Sequence, residues 1–65
     1  MNIQIVAENL KNTIAGKEQM LLTVQQERTF VEDIALRTTA QILTMNIDEL
    51  KRVLQDVEQC IKETV

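Results

Sequence analysis

The fold is decided by residues 3–45, which read IQIVAENLKNTIAGKEQMLLTVQQERTFVEDIALRTTAQILTM. Apolar side chains recur there every three or four positions, an average spacing of about 3.5 residues that is the signature of a coiled coil. If Ala7 and Ile42 both occupy heptad position a, nearly every a and d position of the stretch is apolar. The exceptions are Lys17, Arg28 and Thr38. The pattern therefore predicts one long helix, at about residues 2–43.

A second apolar stripe follows at a different angle around the helix axis. It begins at Ile47, two positions after Met45, and two positions turn a helix by about 200°. A single unbroken helix would therefore carry the two stripes on opposite sides. A turn removes this conflict, because it folds the second stripe onto the first. We expect one domain over residues 1–65, an all-α helical hairpin that assembles into an oligomeric helical bundle.

The residues around Asn46 favour a helix start. Asn46 is a good N-cap residue, and Glu49 stands three positions later, where its carboxylate can return a hydrogen bond to the cap backbone. No glycine or proline ends the preceding helix, but the threonine-rich stretch 38–44 contains mediocre helix formers. We therefore place the second helix at residues 46–64.

The predicted hairpin buries the second stripe against the end of the long helix. The residues assigned to this contact are Ala35, Ile42, Ile47, Leu50, Leu54, Val57 and Ile61. At 1.5 Å per residue, the long helix would measure about 60 Å and the short helix about 27 Å. The first half of the long helix would then remain uncovered.

That uncovered half predicts self-association. Exposed apolar stripes of this size mark interaction sites, and chains below roughly 70–80 residues rely on disulfides, metals or oligomerisation. Cys60 is the only cysteine and there is no histidine, which leaves oligomerisation. The residues expected at the oligomer or partner interface are Ile3, Val6, Leu10, Ile14, Met20, Leu21, Val24 and Val31. Apolar residues beside a and d favour more than two helices in cross-section.

Gly16 leaves an alternative open. Glycine inside a helix costs about 1 kcal/mol relative to alanine and is also the usual residue after a helix end, so residues 3–15 form a separate arm in this alternative. The apolar register continues from Ile14 to Leu21 without a change of phase, which favours one continuous helix.

The sequence lacks the patterns of catalytic and metal sites. Without histidine the commonest general base is absent. Cys60 lies on the apolar flank of the second stripe and is better explained as a packed thiol than as a nucleophile. No phosphate-binding glycine loop, calcium loop or zinc-ligand spacing occurs. We expect no enzymatic activity, no cofactor and no metal.

Charge and hydropathy limit the expected partners. The net charge is −3, with acids and bases interspersed, whereas nucleic-acid surfaces cluster Lys and Arg. A helix-turn-helix over residues 31–45 is a weaker alternative, since it lacks a turn glycine and base-reading side chains. No apolar run approaches the ~20 residues of a membrane span, and no signal-peptide pattern occurs. We expect a cytoplasmic chain that binds itself and a protein client, but neither nucleic acid nor membrane.

The segments Ile34-Ala35 and Ile47-Asp48-Glu49-Leu50 carry a family resemblance. They resemble the tail-fibre assembly helper chaperones of T4-like phages, in which a heptad-bearing arm leads to an Ile-Ala pair and a similar helix start follows. The resemblance covers roughly residues 18–60, and the family's link contains a glycine that this chain lacks. It implies a small oligomeric helper, without catalytic residues, that assists folding or trimerisation of a fibrous phage protein.

Two functions follow from these patterns. The first is a self-assembling module that binds another protein, as an assembly chaperone, an adaptor or an oligomerisation unit. The alternative is a small acidic regulator that inhibits an enzyme or a nucleic-acid-binding protein. Its acidic side chains would be Asp48, Glu49, Asp56, Glu58 and Glu63.

Overall fold

The chain folds as a helical hairpin in a computed structural model that describes residues 2–64. Helix α1 spans Ile3–Gln25 and helix α2 spans Ile34–Thr64. The two helices pack side by side into a rod with principal dimensions of 50 × 15 × 14 Å. The all-α hairpin predicted from the apolar stripes is confirmed.

Helix α1 begins at a side-chain cap and continues through its glycine. The Asn2 Oδ1 atom accepts a hydrogen bond of 2.9 Å from the backbone N–H of Gln4. An asparagine at this position satisfies a backbone donor that the helix itself leaves unpaired. Gly16 lies within α1 and has no positive φ angle, so the separate arm ending there does not form.

The turn of the hairpin lies earlier than predicted. Residues 26–33 link the helices through consecutive tight turns, in which the N–H of Phe30 bonds the carbonyl of Glu27 and the N–H of Asp33 bonds that of Thr29. The predicted helix boundaries, 2–43 and 46–64, are therefore wrong. The first helix is the shorter of the two, with 23 residues against 31.

The cap of the second helix is Asp33 rather than Asn46. The Asp33 Oδ1 atom accepts hydrogen bonds from the backbone N–H groups of Ala35, at 2.9 Å, and Leu36, at 3.3 Å. Asn46 and Glu49 lie exposed in the middle of α2, so the predicted cap is wrong. A sequence that suits a cap does not start a helix where the backbone is already helical and packed.

The threonine-rich stretch is helical throughout, and two of its hydroxyl groups bond the helix backbone. The Thr39 and Thr44 hydroxyls each donate a 2.8 Å hydrogen bond, to the carbonyls of Ala35 and Ala40 respectively. These bonds to the carbonyl four residues earlier are a usual way for threonine to sit inside a helix. The helix therefore continues through residues 38–44, although they include mediocre helix formers.

The core is a single line of apolar contacts between the helices. Its buried members are Ala7, Ile14, Ala40, Leu43 and Ile47. Half-buried apolar residues continue the same faces: Val6, Leu10, Leu21 and Val24 on α1, and Leu36, Leu50, Leu54, Val57 and Ile61 on α2. On α2, the stripe from Leu36 to Ile61 keeps the alternating four-and-three spacing of a heptad repeat without interruption.

This core changes two of the predicted contacts. The sequence pattern predicts Ile14 at the oligomer interface, but it is buried inside the hairpin with 5% of its surface exposed. The pattern predicts Ala35 and Ile42 in the hairpin packing, but both are exposed on the outside of α2. Because α2 is long enough to run along α1, the expected uncovered half of the first helix does not exist.

The two isoleucines at positions 47 and 42 provide a matched test of the core. We expect Ile47→Ala to lower the free energy of unfolding by about 2–3 kcal/mol, because it leaves a cavity in the apolar core. Ile42→Ala, at a side chain 53% exposed, is expected to change it by less than about 0.5 kcal/mol. Urea denaturation of the two variants measures both values, and equal losses would contradict this core.

The two cap sites provide a second matched test. We expect Asp33→Ala to destabilise the hairpin by about 1 kcal/mol, because two backbone N–H groups lose their acceptor. Asn46→Ala is expected to stabilise it by about 0.5 kcal/mol, because alanine is the better residue inside a helix. Thermal unfolding followed by circular dichroism distinguishes the two. A loss at Asn46 and none at Asp33 would place the helix start where the sequence pattern put it.

Candidate functional site

A cluster of exposed apolar side chains surrounds the turn end of the hairpin. It contains Val31, Ile34, Ile42 and Met45, with 78%, 70%, 53% and 64% of their surfaces exposed. We call this set the turn-end patch. Ala35 and Thr38, also exposed, stand between its members along α2. Since single exposed apolar residues are ordinary but contiguous groups mark interaction sites, the patch is a candidate binding surface.

Most of the patch lies on the first half of helix α2, which carries fewer charged residues than the second half. Between residues 34 and 47 the only charged residue is Arg37, whereas residues 48–64 contain eight. The first half also has two apolar stripes: Ala40, Leu43 and Ile47 face α1, while Ile42 and Met45 face away from it. A helix that is apolar on two sides usually has a neighbour on both.

One long edge of the hairpin is lined by charged side chains. The Lys51 Nζ lies 3.3 Å from Glu18 Oε2, and the Lys11 Nζ lies 3.8 Å from Glu58 Oε2. These four residues occupy heptad position e when the core residues are placed at a and d. Position e residues of two antiparallel helices meet along the same edge, so the ion pairs match the antiparallel register that the apolar stripes set.

The opposite edge has no charged side chain at position g. The residues there are Val6, Thr13, Met20, Thr39, Asn46, Val53 and Cys60. We call this set the uncharged edge. Met20 is 58% exposed and Val53 is 42% exposed, and Val6 is half-buried. The hairpin therefore has one charged edge and one edge of apolar and neutral polar side chains.

The predicted interface residues fall into three groups in the structure. Val6, Leu10, Leu21 and Val24 are half-buried on the side of α1 that packs against α2, and Ile14 is fully inside. Ile3 is only 37% exposed at the far end of the rod. Met20 and Val31 remain open to solvent, the first on the uncharged edge and the second in the turn-end patch.

Cys60 differs from its expected environment. It is a free, exposed cysteine on the uncharged edge, so the expectation of a packed thiol is wrong for the single hairpin. The three polar residues of the predicted stripe also separate: Lys17 is half-buried between the helices, whereas Arg28 and Thr38 are exposed.

The sequence prediction missed the outward direction of Ile34, Ile42 and Met45. The signal that would have revealed it is the continuity of the second stripe, which can be followed backwards from Ile47 through Leu43 and Ala40. Once these residues face α1, any apolar residue between them must face outwards. The missed residues therefore lie in a stretch where two heptad registers overlap, outside the register that faces α1.

Other chemistry is sparse in the described part of the chain. Within residues 2–64, no three His, Cys, Asp or Glu side chains are grouped in a way that would hold a metal ion. A shallow groove crosses the charged edge beside Ala7, Lys11 and Glu58, but it is open and lined by charges of both signs. Neither described helix has an apolar stretch long enough to cross a bilayer.

Comparison with known proteins adds no relative: no family model, no curated protein and no solved structure matches the chain.

The charged edge generates a test of the register. We expect Glu18→Lys to destabilise the hairpin by roughly 0.5 kcal/mol, because it places two ammonium groups together, and the double change with Lys51→Glu to restore the loss. The effect should shrink in 1 M salt, where the Debye length is about 3 Å. Thermal unfolding of the single and double variants measures it. A double variant no more stable than Glu18→Lys would contradict the pairing.

Proposed function

We propose that the chain is a non-enzymatic, self-associating helical hairpin that binds another protein, as an assembly chaperone or as an oligomerisation or adaptor module. The observation that carries the proposal is the turn-end patch. Four side chains more than half exposed, and no charged residue between residues 38 and 47, form a surface that water solvates poorly. In this proposal, a segment of a protein client binds to the turn-end patch.

The chemistry of the patch suits an apolar helix or strand of the client. Ile42 and Met45 are three residues apart on one side of α2, so they present neighbouring apolar groups to one occupant. Methionine has three rotatable bonds and a polarizable sulfur, which lets it adapt to irregular partner surfaces. Burial of the patch would follow the usual gain of about 25 cal/mol per Å² of apolar surface.

Self-association is supported by the small amount of surface that the single hairpin buries. A compact protein of 7.5 kDa exposes about 4,200 Å², whereas this hairpin exposes 5181 Å². None of the side chains described in residues 2–64 is completely buried. A core this thin is typical of chains that gain their stability by association.

The identity of the client is the most specific part of the proposal. The resemblance to tail-fibre assembly helper chaperones suggests a fibrous phage protein, which such a helper would hold while it folds or trimerises. The site of action would then be the host cytoplasm. The support for this client is the sequence resemblance alone.

The acidic-regulator alternative has less support from the geometry. Glu58 is paired with Lys11 at 3.8 Å, and the other acidic residues of α2 alternate with Lys51, Arg52 and Lys62. A surface that imitates nucleic acid or inhibits a basic enzyme needs a concentrated field of one sign. The second half of α2 carries charges of both signs, so we prefer the apolar patch as the binding surface.

A photo-activatable amino acid placed along α2 tests the proposal. In the native host, we expect a probe at position 45 to form a covalent adduct with one defined protein, and a probe at position 59 to form none. Both positions are exposed and lie fourteen residues apart on the same side of the helix. The adducts are identified by mass spectrometry.

A second change in the same chain controls for adventitious capture. Ile42→Lys should abolish the adduct at position 45, because a charge in the patch opposes apolar docking, while the helical circular-dichroism signal stays unchanged. Adducts that persist in this variant, or that form equally at position 59, would contradict client binding at the turn-end patch.

A further inference from the structure

We infer that a second copy of this chain docks on the uncharged edge, so that two hairpins complete one four-helix core. The inference deepens the self-association in the proposed function and rests on it. It assigns that association to position g residues of both helices, centred on Thr13 and Val53, and leaves the turn-end patch free for the client.

The first argument is the contrast between the two edges. On the charged edge, Lys11, Glu18, Lys51 and Glu58 are already paired within the hairpin. A second copy docking there would have to remove four charges from water, at a cost that ion pairs rarely recover. On the uncharged edge a second copy would bury no charged side chain at position g.

The second argument is the shape of the apolar surface. Positions a and d alone make a narrow contact between two helices, and apolar residues at g widen it to the face used in bundles of three or more helices. Val6, Met20 and Val53 provide that width on the two helices. Their side chains continue directly from the line of Ala7, Ile14 and Ile47, so the second copy would extend an existing core.

The third argument is the area available. The hairpin is 50 Å long and 15 Å wide, so one side of it offers roughly 750 Å², close to the ~800 Å² that each partner buries in a standard interface. The turn-end patch occupies only one end of the rod and cannot provide this area. The long edge therefore fits a second copy better than the patch does.

The neutral polar residues of the uncharged edge also fit a second copy of the chain. Thr13, Thr39 and Asn46 are neutral polar side chains that can hydrogen-bond across a bundle interface. One polar residue inside an otherwise apolar interface commonly fixes the number and alignment of the helices. Position g is uncharged along both helices, so a second copy can make the same kind of contact over the length of the hairpin.

Sedimentation equilibrium of matched lysine variants tests the inference. The wild-type chain should have twice its 7.5 kDa mass at micromolar concentration. Met20→Lys, on the uncharged edge, should weaken the association at least ~10-fold, because the interface would bury an ammonium group without a charged partner. Leu22→Lys is the control: it lies two residues along α1 and is 47% exposed, against 58% for Met20, but it points to the charged side. It should leave the mass unchanged.

Two further variants distinguish a loss of association from a loss of folding. Thr13→Lys changes an exposed side chain on the same edge and should weaken association without loss of helicity by circular dichroism. Met45→Lys, in the turn-end patch and 64% exposed, should leave the dimer mass unchanged. Dissociation by Met45→Lys, with none by Thr13→Lys, would overturn the assignment to the uncharged edge while leaving self-association standing.

A wild-type chain that stays at 7.5 kDa throughout would overturn both the inference and the self-association on which it rests. Equal dissociation by Met20→Lys and Leu22→Lys would overturn the inference alone. Client capture at position 45 is measured separately, so its presence or absence does not depend on either result.

Discussion

The structure depends on the pairing of two apolar stripes along the facing sides of α1 and α2. The stripe of α2 runs from Leu36 to Ile61 without a polar residue, and that of α1 runs from Ile3 to Val24 with only Lys17 inside it. The position of the turn and the outward direction of the other apolar residues of α2 both follow from this pairing. The chain turns at residues 26–33 because the α1 stripe ends there, and the remaining apolar residues of α2 face outwards because the inward positions are occupied.

This pairing leaves the hairpin with a core only one residue deep. Among residues 2–64, five buried side chains, all Ala, Ile or Leu, form its centre, and the flanking positions are only half-covered. The free energy available from such a core is small against the conformational entropy of about sixty ordered residues. The same geometry divides the surface into a charged edge, an uncharged edge and an apolar end, and these differences give the surfaces their separate proposed roles.

Much of the fold could be predicted from the sequence, and the part that could not has a specific cause. The heptad register of α1 and the later half of α2 were readable from the spacing of apolar residues. The turn was misplaced because residues 34–47 carry two overlapping registers, one through Ala35 and Ile42 and one through Leu36 and Leu43. The structure uses the second register. The first register would place the polar residues Arg28 and Thr38 in its apolar stripe.

Local signals did not resolve that ambiguity. Asn46 and Glu49 have the chemistry of a helix start, and so does Asp33; only the pairing with α1 decides between them. The candidate surfaces were less predictable than the fold for the same reason. Whether Ile42 is core or surface depends on which register the partner helix selects, and a single sequence does not contain the partner's position.

Amide hydrogen exchange measured by NMR tests the central claim most directly, because it locates the turn without any substitution. If α2 is continuous and the chain turns at residues 26–33, the amides of residues 43–50 exchange slowly and those of residues 27–32 exchange fast. Fast exchange at residues 44–46, together with slow exchange at residues 27–32, would contradict the paired stripes on which this account of the hairpin rests.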